Sequence, residues 1–296
     1  MQTIVDAHLH IWDLEAFSLP WLDDVPAARH TVSEDDYRTD CVTGPDWQIR
    51  KSVYIEVDVA TDQKQQEIDH ITAICADPGS MIAAAVVSAD LSRRDGDAWL
   101  EQLTRNPAIR GIRHVLHVPA SPRGACLEPA FVQNVRKLGA SGLHFEACLR
   151  CEELSDLVRL AELCPQTPIM LNHMGIVDAA RIAGAAAGSD EDRRYRDLWL
   201  ENIARLGQLS NVSCKISGLA AGADEVEAVI APVLDHCFGS FGDKRIVFAT
   251  NYPVSETMIP ARRWIESVLK HTAAQSETFR DRLFFENACR FYRISL

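Results

Sequence analysis

The sequence predicts an α/β protein, a (β/α)8 TIM barrel formed as a single domain over residues 1–296, and three observations carry that prediction. The 296 residues, 47% of them hydrophobic, suffice for one large core. Short β-branched runs alternate with amphipathic segments about every 25 to 40 residues, the pattern of repeated βα units. No G-x-G-x-x-G and no P-loop follows the first run, which speaks against an open doubly wound sheet.

The first strand is expected over 3–11, where strict alternation puts Asp6, His8 and His10 on one face and Val5, Ala7 and Leu9 on the other. Further strands are expected at 52–57, 81–88, 111–117, 142–149, 168–173, 211–217 and 245–250. Between them, 63–75 carries Ile68, Ile71, Ile74 and Cys75 at helical intervals, and 154–163 carries Leu157, Leu160, Ala161 and Leu163. Asp224 with Glu227 reads as a capping box for a helix bearing Val226, Val229, Ile230 and Val233. Two connections are long, at about residues 12–50 and 175–191; the second includes the small-residue tract 183–188. Long loops in compact domains are usually functional, so both are expected to wall the site.

The charge balance, 30 Lys and Arg against 42 Asp and Glu for a net −12, lacks the basic cluster that tracks a phosphate backbone, so no nucleic-acid partner is expected. No basic-then-apolar leader and no run near the roughly 18 apolar residues of a membrane span is present, and a soluble cytoplasmic protein is the expectation. Nine cysteines without an export signal fit a reducing compartment. Cys148 and Cys151 form a C-x-x-C with no second pair at zinc-site spacing, and they are expected to be buried structural thiols.

In a barrel the chemistry collects at the C-terminal ends of the strands. Those ends present His8 and His10, Glu56 and Asp58, Arg113 and His114, His144 and Glu146, His173, Lys215 and Asn251. Each has an ordinary alternative: a hydrogen-bonded core pair for His8 and His10, a solvated loop charge for Asp58, a core hydrogen bond for His144, a surface cation for Lys215. Their recurrence on successive strands is what favours a site.

The chain resembles the amidohydrolase superfamily, within it the lactonase branch that includes L-fuconolactone, L-rhamnonolactone and 2-pyrone-4,6-dicarboxylate hydrolases. The resemblance runs over nearly the whole chain and rests on Val5-Asp6-Ala7-His8-Leu9-His10-Ile11-Trp12-Asp13, Gly111-Ile112-Arg113-His114, Ile169-Met170-Leu171-Asn172-His173-Met174-Gly175 and Val212-Ser213-Cys214-Lys215-Ile216-Ser217-Gly218-Leu219, with Glu286-Asn287-Ala288-Cys289-Arg290-Phe291-Tyr292 at the close. It implies hydrolysis of a small-molecule lactone by base-assisted attack of water on the ester carbonyl.

The departure is Ala249-Thr250-Asn251-Tyr252-Pro253, where the family pattern has an Asp at position 251 as general base. An amide has no usable basicity near neutral pH. Asn251 therefore reads as an inactivating substitution, or as a sign that His10 or His173 is the base, or that the protein has left hydrolysis behind. The resemblance implies His10 and His173 in catalysis, with Trp12, Arg113, His114, Lys215 and Tyr252 at the substrate. His8, His10 and His173 would be the ligands of one divalent cation such as zinc, with Glu56 as an additional ligand, although some members work without metal. Trp12, Trp21 and Tyr252 as apolar faces favour a sugar lactone. A metal-dependent decarboxylase of a small unsaturated or aromatic acid and a catalytically silent binding protein are the alternatives.

Overall fold

The computed structural model describes residues 1–94, 96–119, 121–184, 188–220 and 226–295. The strands are β1 (Gln2–Leu9), β2 (Trp47–Ile55), β3 (Ile82–Ser88), β4 (Ile109–Val115), β5 (His144–Cys148), β6 (Ile169–Leu171), β7 (Val212–Ile216) and β8 (Ile246–Phe248). They pair in parallel, each with the next in chain order. All eight overlap the expected runs, with β2 beginning five residues earlier than expected, at Trp47. The circuit is closed by a parallel bridge between Leu9 and Tyr252, in which Asn251 N donates to His8 O at 3.0 Å and His10 N to Tyr252 O at 2.8 Å. A (β/α)8 barrel results.

Side-chain parity sorts the strands into two layers. Outward residues such as Ile4, Leu9, Tyr54, Phe145, Leu171, Cys214 and Phe248 join the larger core under the helices. Inward residues Val5, Ala7, Val53, Ile55, Ala84, Val86, Met170, Val247 and Ala249 form a second apolar cluster in the bore, with Ala288, Tyr292 and Ile294 of the C-terminal segment. The helix Asn287–Tyr292 thus plugs the N-terminal end of the barrel and leaves the other end to the site.

The simple alternation expected for β1 does not hold. Val5 and Ala7 belong to the inner cluster, yet His8 and His10 also point inward. The cause is a register shift against β2 between Asp6 and Leu9, where three steps along β1 match two along β2. A bulge of this kind re-aims every side chain beyond it. Asp6, expected beside the histidines, faces away from them and clamps β1 to β8: it accepts from the Tyr37 hydroxyl at 2.8 Å, Thr250 N at 2.9 Å and Thr250 Oγ1 at 2.5 Å.

The helices expected at 63–75 and 154–163 are Lys64–Ala76 and Leu154–Leu163, and Val226–Phe241 carries Val226, Val229, Ile230 and Val233 on its buried side. Asp224 of the expected capping box, and 185–187 of the small-residue tract, lie outside the described residues. Among the described residues no helix is long and apolar enough to cross a membrane.

Candidate active site

A cavity of about 320 Å³ opens at the C-terminal end of the strands. It is lined by His10, Arg113, His117, Cys148, His173 and Asn251, with Trp21, Val57, Val115, Ile176 and Met258 among its apolar walls. Trp21 comes from the long first connection and Ile176 from the second.

His173 stands on an unusual backbone. Residues His173, Met174 and Ile176 have φ of 51°, 52° and 49°, and Gly175 has 81°, so the segment directly after β6 is one left-handed turn. Three non-glycine residues in that region store strain, of order 1–2 kcal/mol each, that the surrounding fold must hold. The hold is visible: Ser217 Oγ lies 2.9 Å from His173 Nδ1, and a Cβ on Gly218 would fall 2.4 Å from that same nitrogen. With Nδ1 so occupied, Nε2 of His173 has no hydrogen-bond partner among the described residues and is the ring nitrogen left for substrate.

The other two imidazoles are spoken for by a chain of hydrogen bonds. Lys215 Nζ, which can only donate, lies 3.2 Å from His8 Nδ1, and Ile55 O, which can only accept, lies 2.8 Å from His10 Nδ1. His8 Nε2 lies 3.0 Å from His10 Nε2, and Arg113 Nη1, a further donor, approaches that same His8 nitrogen at 3.5 Å, so each ring nitrogen of His8 faces a cationic side chain. All three rings are neutral near pH 7. Burial, then Lys215, holds His8 and His173 well below the ordinary histidine range, and burial, then Arg113, brings His10 down to about 3.

That pair of cations bears on the expected metal. His8 Nε2, the atom that would meet a cation shared with His10, already faces Arg113 Nη1 at 3.5 Å, and Lys215 Nζ sits at the other nitrogen of the same ring. No carboxylate compensates: Glu56 Oε1 accepts from Arg113 Nε at 2.5 Å, its Oε2 from Asp58 N at 2.8 Å, and position 251 is an amide. Metal-ligating histidines present a bare nitrogen and commonly back it with a carboxylate or carbonyl, the reverse of an ammonium. The expected donors His8, His10, His173 and Glu56 do not fit a divalent cation in this arrangement.

Four residues expected at the substrate are placed elsewhere. Trp12 donates its indole N–H to His30 O at 2.6 Å and packs edge-on behind Trp21. His114 follows Arg113 and so points out of the barrel, against Phe131, where its Nδ1 accepts from Leu91 N at 3.1 Å. Tyr252 donates to Asp40 at 2.6 Å outside the bore. Lys215 is inside but fully buried beneath His8, one layer below the cavity. There its Nζ meets Glu146 at 2.9 Å, and Glu146 also accepts from His144 at 3.2 Å, from the Tyr292 hydroxyl at 2.7 Å and from Asn172.

Two titratable lining residues escape the reading of strand ends: His117 and Cys148. Parity supplied the missing signal, since His144, Glu146 and Cys148 are alternate residues on the inner face of β5, and Arg113, Val115 and His117 continue the inner face of β4 past its last residue.

The family profile described as Amidohydrolase matches residues 5–294. A protein of Sinorhizobium fredii is 26% identical over 308 residues, covering 98% of both chains. The L-fucono-1,5-lactonase of Burkholderia ambifaria is 27% identical over 305 residues, covering 98% of this chain and 95% of that protein. Among solved structures, an amidohydrolase from Burkholderia multivorans with bound zinc superposes with a TM-score of 0.81 at 20% identity, covering 99% of this chain and 100% of the other.

Proposed function

The chain belongs to the amidohydrolase family, and from that premise we propose that it is a hydrolase that opens a lactone ring, of the aldonolactone class. The observation that carries this reading is the His173 imidazole, neutral, with Nε2 free beside a cavity that also holds Arg113. A neutral imidazole takes the proton of an attacking water, and a guanidinium provides donors for the oxyanion that forms on the carbonyl carbon. Asn251 contributes an amide that can hold the ring or the water but cannot take the proton. His10, engaged by His8 and Ile55, orients and does not act as base.

The substrate class draws support from the L-fucono-1,5-lactonase relative and from the lining. Trp21 offers one apolar face for a sugar ring, and Arg113 is the one guanidinium among the described residues of the lining, fewer than a polycarboxylated lactone would recruit. The donor set at His8 and His10 gives no support to a metal-dependent decarboxylase. The test is acid release from a panel of aldono-1,4- and 1,5-lactones by the purified chain. Saturable hydrolysis, unchanged after exhaustive chelation, is expected; rates equal to buffer for every lactone would remove the proposal in favour of a silent binding protein.

A further inference from the structure

Cys148 is the third inward residue of β5, after His144 and Glu146, and unlike them it reaches the cavity. Its Sγ lies 3.5 Å from His117 Nδ1, and His117 lines the same cavity from the loop after β4. Nucleophile and base are within hydrogen-bond reach for sulfur, the arrangement that activates a thiol. The electrostatics agree. Burial would raise the Cys148 thiol, but His117 and Arg113 outweigh it and hold the group below its ordinary range, while Cys148 in turn raises His117. Other thiols of the chain behave oppositely: burial pushes Cys75 and Cys126 up to about 12 and Cys151 up to about 11. Cys151, its C-x-x-C neighbour, forms no disulfide with it.

We propose that Cys148 is the acyl acceptor of this site, with His117 as its proton carrier, so that ring opening passes through a thioester. The proposal rests on the lactonase reading and divides it into two steps. His117 draws the thiol proton, Sγ forms a bond to the carbonyl carbon, the acyl C–O bond of the ring breaks, and the ring oxygen leaves with the proton from His117. Water then attacks the thioester carbon while His173 takes its proton; the C–S bond breaks, the sulfur regains that proton, and the open hydroxy acid departs. Water is the sole co-reactant. An amide at position 251 is compatible with this route, because the first nucleophile is no longer water.

Iodoacetamide labelling with peptide mass mapping at about pH 6.5 should modify Cys148 at least about tenfold faster than any other cysteine, because reactivity follows thiolate content. His117→Asn should abolish the preference, and a hydrolysed lactone should protect the thiol. Acid quench during turnover should give a Cys148 peptide heavier by one lactone. Cys148→Ala should lower hydrolysis at least about 100-fold, with Cys148→Ser as a second variant should the first fold poorly, whereas Cys151→Ser should change neither readout. Hydrolysis by a folded Cys148→Ala at the wild-type rate overturns the thioester and leaves the water-attack reading standing. Labelling of Cys148 no faster than its neighbours overturns it as well. Fast, His117-dependent labelling in a protein inert to every lactone upholds the activated thiol and removes the lactone.

Discussion

Two clusters of ionisable side chains share the bore of this barrel, one above the other, and each combines histidine with a cation and an asparagine. The upper one, His10, Arg113, His117, Cys148, His173 and Asn251, faces the cavity. The lower one, His144, Glu146 and Lys215 with Asn172 and Tyr292, is closed beneath by the C-terminal helix, and its members are no more than 3% exposed. Each seats a histidine on a glycine: a Cβ on Gly218 would strike His173, and one on Gly111 would fall 2.3 Å from His144 Nε2. What differs is satisfaction. In the lower layer the polar atom left over, Asn172 Oδ1, is buried away from the cavity, and every charge meets a partner, as buried charges must. In the upper layer His173 Nε2 has none among the described residues. The lower cluster holds the barrel, the upper one is available to a ligand, and Lys215 couples them through its contact with His8 Nδ1.

The comparison breaks most visibly at position 251. Where His173→Asn has removed the imidazole base, Asn251→Asp should restore hydrolysis about 100- to 10,000-fold, the scale of a positioned general base, in an acid-release assay on one aldonolactone. No gain would mean that position 251 does not face the reacting water. In the lower layer, Lys215→Met strands Glu146, whose carboxylate is held well below its ordinary range by Lys215, His144 and Tyr292 against the cost of burial. Removing one partner of a buried pair costs about 3–5 kcal/mol, readable in denaturant unfolding. A loss under about 1 kcal/mol would show that the layer is not structural.

Arg113 belongs to the upper layer but is tied to the fold as well, since Glu56 engages its Nε at 2.5 Å and Nη2 donates to Glu56 O at 2.6 Å, while the guanidinium reaches the cavity. A point charge cannot reproduce that fork. Arg113→Lys should therefore lower kcat/KM about 10- to 100-fold, or about 1.4–2.7 kcal/mol. A lower melting temperature with unchanged kinetics of the folded fraction would assign it to structure alone.

Acid provides a finer probe. In the unfolded chain His10 binds a proton below about pH 6.5, but folded it stays neutral to about 3, so its contribution to stability is complete above the first value and is lost as pH falls between the two. His10→Asn should reduce the slope of unfolding free energy with pH, measured between about pH 5 and 6, by about 1.4 kcal/mol per unit. Glu67, raised to about 7 by burial and then by Glu56, has the opposite sign and cancels in that difference. An unchanged slope would mean that His10 is protonated in the fold.

Much of the barrel was legible in the sequence because parallel strands buried on both sides leave β-branched runs at regular spacing. The layers were not. His144, Glu146 and Lys215 read as mouth residues, since a strand's pattern does not say how far along the bore each position falls. The bulge after Asp6 is a matter of pairing with β2, which the pattern of β1 alone cannot encode. His114 and Tyr252 were attractive by residue type, but adjacency in sequence to Arg113 and Asn251 puts each side chain on the opposite face; Trp12 lies past the end of β1, where it pairs with Val32 and strand parity no longer applies. Cys148 was read with Cys151 as a structural pair, although its parity with Glu146 pointed into the bore.

The division of labour between the two layers is tested most directly by setting His173→Asn beside His144→Asn and measuring acid release from one aldonolactone per mole of folded protein. The first should lose roughly 100-fold or more in turnover and keep its melting temperature; the second should keep its turnover and melt lower. Equal kinetic losses in the two variants, or full activity in His173→Asn, would contradict the account.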